Sequence, residues 1–337
     1  MRKSVYIVET GSVIKLQNDN LVVKRKQEKM VAIPLINVKR LYIRGGALIS
    51  VQLLLKLLGQ EIDIVFLSFN GQFLTKLPSM PGKNIELRRQ QYRLYEDEGE
   101  RQRIAAGFIK GKIWNGYILL KRYYTRHENS NALNKLLMLY NQLKANDYPI
   151  DTLMGKEGAA SQTYFSTFGK IFKGDGSGFA FERRTRRPPK DPVNAMLSFG
   201  YTLLFNEALL ILEQTGLDPY LGFLHAPQYS RASLALDIIE EFRSVVVDTL
   251  VLNLVSKNIF KADDFRNVDA AGPNGVYISK EKLKVFIYHF NYRMETKRFW
   301  ERVGKELTYR DIVKHQAYDL IRFIETGKEY RPFRLIR

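Results

Sequence analysis

The chain has 337 residues, and its 53 lysines and arginines against 35 aspartates and glutamates leave a formal charge of +18. Hydrophobic residues make up 45%, which is ample for a core and excludes a disordered tail or a low-complexity scaffold. The absence of cysteine excludes a disulfide framework, a thiolate zinc site, an iron–sulfur cluster and a cysteine nucleophile together, and it suits a reducing cytoplasm.

Taken in order, the N-terminal quarter reads as β structure. Ser12–Leu16 and Leu21–Val23 flank a polar Asn18-Asp19-Asn20 turn, which is a hairpin signal. Further β-branched or apolar runs follow at 30–35, 38–43, 62–67 and 73–77, with the turn dipeptide Asn70-Gly71 between the last two. One helix interrupts them, with Ser50 as its N-cap and Gly59 to close it. This spacing predicts a small sandwich-like or barrel-like sheet domain. The opening MRKSVYIVETGS turns polar after one short apolar run, so no signal peptide is expected.

At Ser79-Met80-Pro81-Gly82 the texture changes. A β domain over 1–82 and a larger all-α domain over 83–337 are expected, an α+β chain. Helices are predicted at 85–106, 108–125, 131–145, 156–172, 193–214, 232–257, 280–299 and 308–326. Breakers fall at Pro149, Pro188-Pro189, Gly216, Pro219 and Gly272-Pro273. The most apolar stretch, Ala195–Leu212, is interrupted by Asn206 and Glu207 and reads as a buried helix, not a membrane span.

The excess positive charge calls for a partner, nucleic acid first and an anionic membrane surface second. Residues 101–126 carry seven Lys/Arg and no Asp/Glu, and residues 183–190 carry five Lys/Arg in a proline-containing segment. Such runs are often plain solvated surface. Here the net charge favours phosphate contact, with Trp114, Tyr123 and Tyr124 at hand for stacking on bases.

Acidic residues in apolar surroundings are informative in so basic a chain. On a continuous helix over 232–257, Asp237, Glu240, Glu241 and Asp248 fall within an arc of roughly 100°. Like charges at this spacing repel, so a cation should compensate. Salt bridges to Arg243 or to the 183–187 cluster are one reading, and a metal is the other. His225, one of four histidines, precedes this segment, and Glu157 begins a predicted helix rich in small residues. Carboxylates with one imidazole fit Mg²⁺ or Mn²⁺, and the imidazole tilts the choice toward Mn²⁺. Such a cation could polarise a phosphoryl oxygen and activate a water or a sugar hydroxyl.

The same residues carry a resemblance. Glu157-Gly-Ala-Ala, the 186–194 run RRPPKDPVN followed by AMLSFGY, Gly216-Leu-Asp-Pro219, Gly222-Phe-Leu-His225 and Leu236-Asp-Ile-Ile-Glu240-Glu-Phe-Arg243 resemble the CRISPR-associated integrase of spacer acquisition, the "Cas one" family. Gly111-Lys-Ile113 with Asn115, and the ending Tyr330-Arg-Pro-Phe333, are similar to it as well. The resemblance implies a small N-terminal β domain, an all-helical catalytic domain and a homodimer, which we would place on the β domain. It also implies assembly with a dimer of the small companion "Cas two" protein. Glu157, His225 and Glu240 match the family's metal ligands, and Asp237 the neighbouring acid counted in its active site. Many relatives have Asp where this chain has Glu240.

The implied reaction is metal-dependent phosphodiester transesterification. A 3′-hydroxyl of captured foreign DNA attacks a strand of the repeat array, and DNA cleavage uses the same site. Lys112, Arg122, Arg184, Arg186 and Arg187 are the expected phosphate contacts, with Arg186 or Arg187 alternatively pairing with the acidic helix. The competing readings are a non-catalytic basic nucleic-acid-binding module and a purely structural protein. A cytoplasmic setting without a membrane partner is expected.

Overall fold

The computed structural model describes residues 3–25, 28–68, 73–77, 84–124, 130–145, 147–172, 179–268 and 275–336. The expected Asn70-Gly71 turn, the 79–82 transition and the Gly272-Pro273 breaker lie outside the described residues. The chain divides into two compact units, Met1–Pro81 and Gly82–Arg337.

The first unit holds β1 (Lys3–Ile7), β2 (Ser12–Gln17), β3 (Asn20–Arg25), β4 (Glu28–Pro34), β5 (Val38–Arg44), β6 (Leu48–Ile49), α1 (Val51–Gly59), β7 (Asp63–Leu67) and β8 (Phe73–Leu77). They form two four-stranded sheets, ordered β1-β5-β7-β8 and β4-β3-β2-β6. Positive φ at Asn18 and Asp19 closes the β2–β3 hairpin as a type I′ turn does. Ser50 caps α1 by accepting the Leu53 N–H. Ile14 and Leu21 from one sheet, Leu41 and Ile64 from the other, and Leu53 and Leu57 of α1 share one buried core. That is the sandwich-like arrangement expected from the strand spacing. β1 and β6 are additions to the expected strands, β6 being only two residues long.

The second unit holds α2 (Ile85–Glu96), α3 (Glu98–Tyr123), α4 (Ser130–Ala145), α5 (Ile150–Phe168), α6 (Pro192–Thr215), α7 (Ser233–Glu240), α8 (Thr249–Ser256), β9 (Phe265–Val268), β10 (Gly275–Ile278), α9 (Lys280–Met294), β11 (Lys297–Trp300), β12 (Lys305–Thr308) and α10 (Tyr309–Thr326). It is mainly helical but not all-α, because β9–β10 and β11–β12 form two antiparallel ribbons. The second ribbon takes up residues 297–299, so α9 ends at Met294 and not at the predicted 299.

Two helix boundaries move for physical reasons. The first break falls at Asp97, whose carboxylate caps α3 by accepting the Glu100 N–H, and not at Gly107. Gly107 and Gly111 lie one turn apart inside α3, where an added Cβ would stand 2.8 Å from the Tyr330 ring and 2.8 Å from Glu241 Cγ. These glycines admit neighbours to the helix backbone instead of ending it. α5 starts at Ile150, directly after Pro149, where a proline costs the helix nothing.

α6 is long and apolar enough to cross a membrane by length and composition, and 78% of its most apolar window is buried inside the unit. Its internal Glu207 is paired with buried Arg310 at 3.0 and 3.1 Å, and Asn206 is buried as well. α6 is thus a core helix carrying its own buried ion pair.

Candidate active site

Three helices bring the central residues together. Glu157 lies two turns into α5, Lys112 lies midway along α3, and Glu240 closes α7. The Lys112 ammonium bridges the two carboxylates, bonding Glu157 Oε1 and standing 2.7 Å from Glu240 Oε2. Ser161, one turn beyond Glu157, donates its hydroxyl to Glu157 Oε1 at 2.7 Å. Arg243 pairs with Glu240 Oε1 at 3.0 Å while its guanidinium lies over the Tyr201 ring. Burial pushes the Glu240 carboxyl up, but the charges of Arg243 and Lys112 outweigh it and hold it at about 2. Glu157 is lowered too, where burial and the nearby Glu240 charge oppose the stronger pull of Lys112 and Ser161. Both acids are therefore anionic at neutral pH.

His225 follows from a different logic. Asp237 is fully buried, and it accepts the backbone N–H groups of Phe223, Leu224 and His225 at 2.7, 3.0 and 3.0 Å. The same carboxylate lies 2.6 Å from His225 Nδ1. A carboxylate that accepts from every other neighbour makes Nδ1 the protonated nitrogen, leaving Nε2 with a lone pair for a metal or a proton. Asp237 thus shapes the 223–225 loop and orients the imidazole in one contact set. His225 also lines a groove of about 580 Å³ with Arg101, Gln102 and Arg231.

Comparison with known proteins decides the family. A family described as "CRISPR associated protein Cas1" matches residues 5–292. The chain belongs to the Cas1 family. It is 34% identical to a CRISPR-associated endonuclease Cas1 of Thermus thermophilus, covering 98% of this chain and 96% of that one. A solved Cas1 structure from Thermotoga maritima is 25% identical and matches with a TM-score of 0.82 over 98% of this chain and 99% of its own. A chain of a Cas6-RT-Cas1–Cas2 complex matches with the same TM-score and 25% identity over all of this chain, which spans 36% of it.

In this Cas1-family chain the acids of residues 232–257 do not share one helical arc. α7 ends at Glu240, and a turn of π-helix over Arg243–Asp248 intervenes before α8. Each acid accordingly finds its own partners. Glu241 points away from Glu240 and accepts from the Tyr330 hydroxyl, Gln316 Nε2 at 3.0 Å and the Phe333 N–H at 2.6 Å. Burial raises its carboxyl to about 8 against those hydrogen bonds. Asp248 accepts the hydroxyls of Tyr164 and Tyr201 at 2.6 and 2.5 Å, and burial raises it to about 6. Among the described residues no three His, Asp or Glu side chains are grouped as a metal cluster. Glu157 and Glu240 form a pair whose cation is supplied by Lys112.

The expected phosphate contacts separate into two kinds. Lys112 is engaged by both carboxylates, and Arg184 is drawn inward to Asn194 Oδ1 at 2.7 Å and Ser198 Oγ at 2.9 Å. Burial lowers the Arg184 pKa to about 10. Arg122, Arg186 and Arg187 are exposed, and neither Arg186 nor Arg187 makes an ion pair among the described residues. The alternative pairing of those two with the acidic helix is therefore not adopted. Trp114 donates to the Leu335 carbonyl at 2.8 Å and packs on Tyr140, and Tyr124 donates to the Thr167 carbonyl at 2.7 Å. Only Tyr123 of the three aromatic residues is left exposed, at 43%.

Asn115, known from the sequence only as part of a motif, and Gln316, which has no sequence signal, hold the residues around Glu241. Asn115 ties the Glu241 and Phe333 carbonyls to its amide at 2.7 and 2.9 Å and accepts the Leu335 N–H at 2.7 Å. The C-terminal segment is thereby fastened behind the site. Its one sequence signal is the Tyr330–Phe333 motif.

Proposed function

We propose that this chain is a divalent-metal-dependent DNA integrase and endonuclease of CRISPR adaptation, and the observation that carries the reading is the convergence of Glu157 and Glu240 on one cation, with an oriented His225 near enough to act electrostatically on Glu240. The two carboxylates and the free imidazole nitrogen suit a hard or borderline divalent cation. Glu240 Oε2 adds to the fit, being a buried oxygen that makes no directional hydrogen bond. Glu157, Glu240 and His225 would hold Mg²⁺ or Mn²⁺, which when bound would polarise a phosphoryl oxygen and favour the ionised form of the attacking hydroxyl.

The chain's own residues do the rest. Asp237 fixes the imidazole through Nδ1, which leaves Nε2 as its available donor. Arg243 keeps the Glu240 carboxylate anionic and in place. In the joining reaction a 3′-hydroxyl oxygen of the captured fragment forms a bond to phosphorus. The bond from that phosphorus to the 3′-oxygen of the repeat strand breaks and releases a 3′-hydroxyl. With water as nucleophile the same displacement is cleavage. Arg122, Arg186 and Arg187 are free to contact phosphates, and the groove past His225, with Arg101 and Arg231, offers a path for a strand. Its setting would be the cytoplasm, as a homodimer joined to the companion Cas2 protein. The likeness to a chain of a complex that contains Cas2 supports that partner.

The saturated pairing of Glu157 and Glu240 with Lys112 and Arg243 would equally suit a non-catalytic DNA-binding module. Strand transfer of a labelled duplex into a repeat-bearing plasmid, with Cas2 present, separates the readings. Product is expected from the wild type in Mn²⁺ and from neither the EDTA control nor His225→Ala, while that variant still binds DNA. Equal product from His225→Ala in EDTA would sink the metal-site reading.

A further inference from the structure

The seat between Glu157 and Glu240 has a vacant neighbour. A cavity of about 30 Å³, room for a water-sized group, opens beside it and is lined by Lys112, Ser161, Tyr201, Arg243, Ser244 and Asp248 among others. Ser244 is 5% exposed, and its hydroxyl has no hydrogen-bond partner among the described residues. Buried hydroxyls are rarely left so. On the other side, Glu240 Oε2 makes no directional hydrogen bond although the Lys112 ammonium stands 2.7 Å away. An ammonium hydrogen-bonded to Glu157 and ion-paired with Glu240 therefore sits next to a cavity whose wall carries an unused acceptor.

We propose that Lys112 is an exchangeable internal cation: it holds the seat between Glu157 and Glu240 until a divalent ion enters, and its ammonium then turns into the adjoining cavity, where Ser244 Oγ accepts a hydrogen bond from it. The proposal rests on the metal reading above. Lysine suits the role because its charge is compact and carried on a flexible stem, whereas Arg243 is a planar fork held over Tyr201. A buried carboxylate and a half-buried one side by side need a compensating cation. Lys112 supplies it before loading, and it competes with the metal for the same oxygens. The observed metal affinity is then the intrinsic affinity scaled by the fraction of molecules with the seat open.

The test is Mn²⁺ binding by the full chain without DNA, followed by electron paramagnetic resonance of free Mn²⁺ and by thermal melting. Lys112→Met should bind Mn²⁺ about tenfold more tightly than wild type or better, because its seat is always open. Its metal-free form should melt earlier, and saturating Mn²⁺ should recover the difference. Arg186→Met removes the same charge from the cavity wall without opening the seat, and should tighten binding less than about threefold. Ser244→Ala removes no charge. It should weaken Mn²⁺ binding in the wild-type background and leave Lys112→Met unchanged, a coupling that a double-mutant cycle reads directly. Should Lys112→Met not fold, Lys112→Gln and the Ser244→Ala comparison with wild type carry the same test.

Equal or weaker binding by Lys112→Met, equal tightening by Arg186→Met, or a Ser244→Ala effect of the same size in both backgrounds would overturn the role of Lys112. The metal reading would survive that result if Glu240→Gln still abolished Mn²⁺ binding. No Mn²⁺ bound by wild type or by Lys112→Met would overturn both.

Discussion

Glu240 and Glu241 are consecutive, both are buried, and they carry the same chemistry, yet the two sides of the chain they face treat it in opposite ways. On one side Arg243 and Lys112 hold the Glu240 carboxyl at about 2. On the other, Glu241 meets no ion pair among the described residues, only the Tyr330 hydroxyl, the Gln316 amide and the Phe333 N–H, and its carboxyl rises to about 8. Burial works against ionisation on both sides, so the difference comes from formal charge. Neutral donors satisfy a buried carboxyl without making it a strong anion. The first side is thus fit to hold a cation and the second to hold the chain together.

The largest effect expected from this contrast is on activity. Glu240→Gln should lower strand transfer and cleavage about 10³-fold, the rate equivalent of the several kcal/mol a bound metal contributes. Glu241→Gln, which keeps the amide-shaped hydrogen bonding of the rear side, should stay within about threefold of wild type in the same assay. A comparable loss in both variants would dissolve the distinction between the two sides.

Stability should reverse the ranking. Glu241→Ala leaves the buried Tyr330 hydroxyl and Phe333 N–H without an acceptor, at a cost of about 3 kcal/mol in denaturant unfolding. Glu241→Gln should cost less than about 1 kcal/mol, since an acceptor oxygen remains. The predicted loss also reports on the C-terminal segment, because Glu241 and Asn115 both hold the backbone around Phe333.

Much of this arrangement was legible in the residues, and the part that was not has a common cause. Alternating apolar strands closed by Asn18-Asp19 announced the N-terminal sheets, and the apolar run with Glu207 inside it announced a core helix. The family resemblance singled out Glu157, His225 and Glu240 as donors, and the fold sets Glu157 and Glu240 on one ammonium. Partners far along the chain were not legible. Lys112 looked like one more cation in a basic run, and its two carboxylates lie 45 and 128 positions away. Trp114 looked available for stacking because nothing local shows that the Leu335 carbonyl receives its indole N–H. The break after Glu240 was also hidden, since the apolar run continues through Val245–Val247 while the backbone widens into a π turn. That turn sends Asp248 to two tyrosines and not to the side where Glu157 and Glu240 meet.

Asp248 extends the comparison to pH. Its carboxyl is raised to about 6, by burial against the tyrosine hydrogen bonds, and an unfolded Asp titrates near 3.9, so the folded chain binds the extra proton between these values. Stability from this group is complete below about pH 4 and declines as pH rises through about 6, by up to about 3 kcal/mol. Asp248→Asn has no proton to lose. The stability of wild type relative to this variant should therefore fall between pH 4 and pH 7, measured by guanidinium unfolding at each pH. A difference that stayed flat would mean that the tyrosines hold Asp248 ionised throughout.

The smallest effect separates the arginines in the same way as the carboxylates. Arg184 spends its guanidinium on Asn194 and Ser198, whereas Arg187 is exposed and makes no ion pair among the described residues. Each phosphate contact releases condensed counterions, so Arg187→Ala should reduce the slope of log affinity for duplex DNA against log salt by about 0.9 and leave the melting temperature unchanged. Arg184→Ala should do the reverse. It strips two hydrogen bonds from the segment leading into α6 and lowers the melting temperature, with the salt slope kept. A steep loss of slope in Arg184→Ala would place a phosphate inside the cavity that this side chain lines, and would move Arg184 from the group that builds the site to the group that meets DNA.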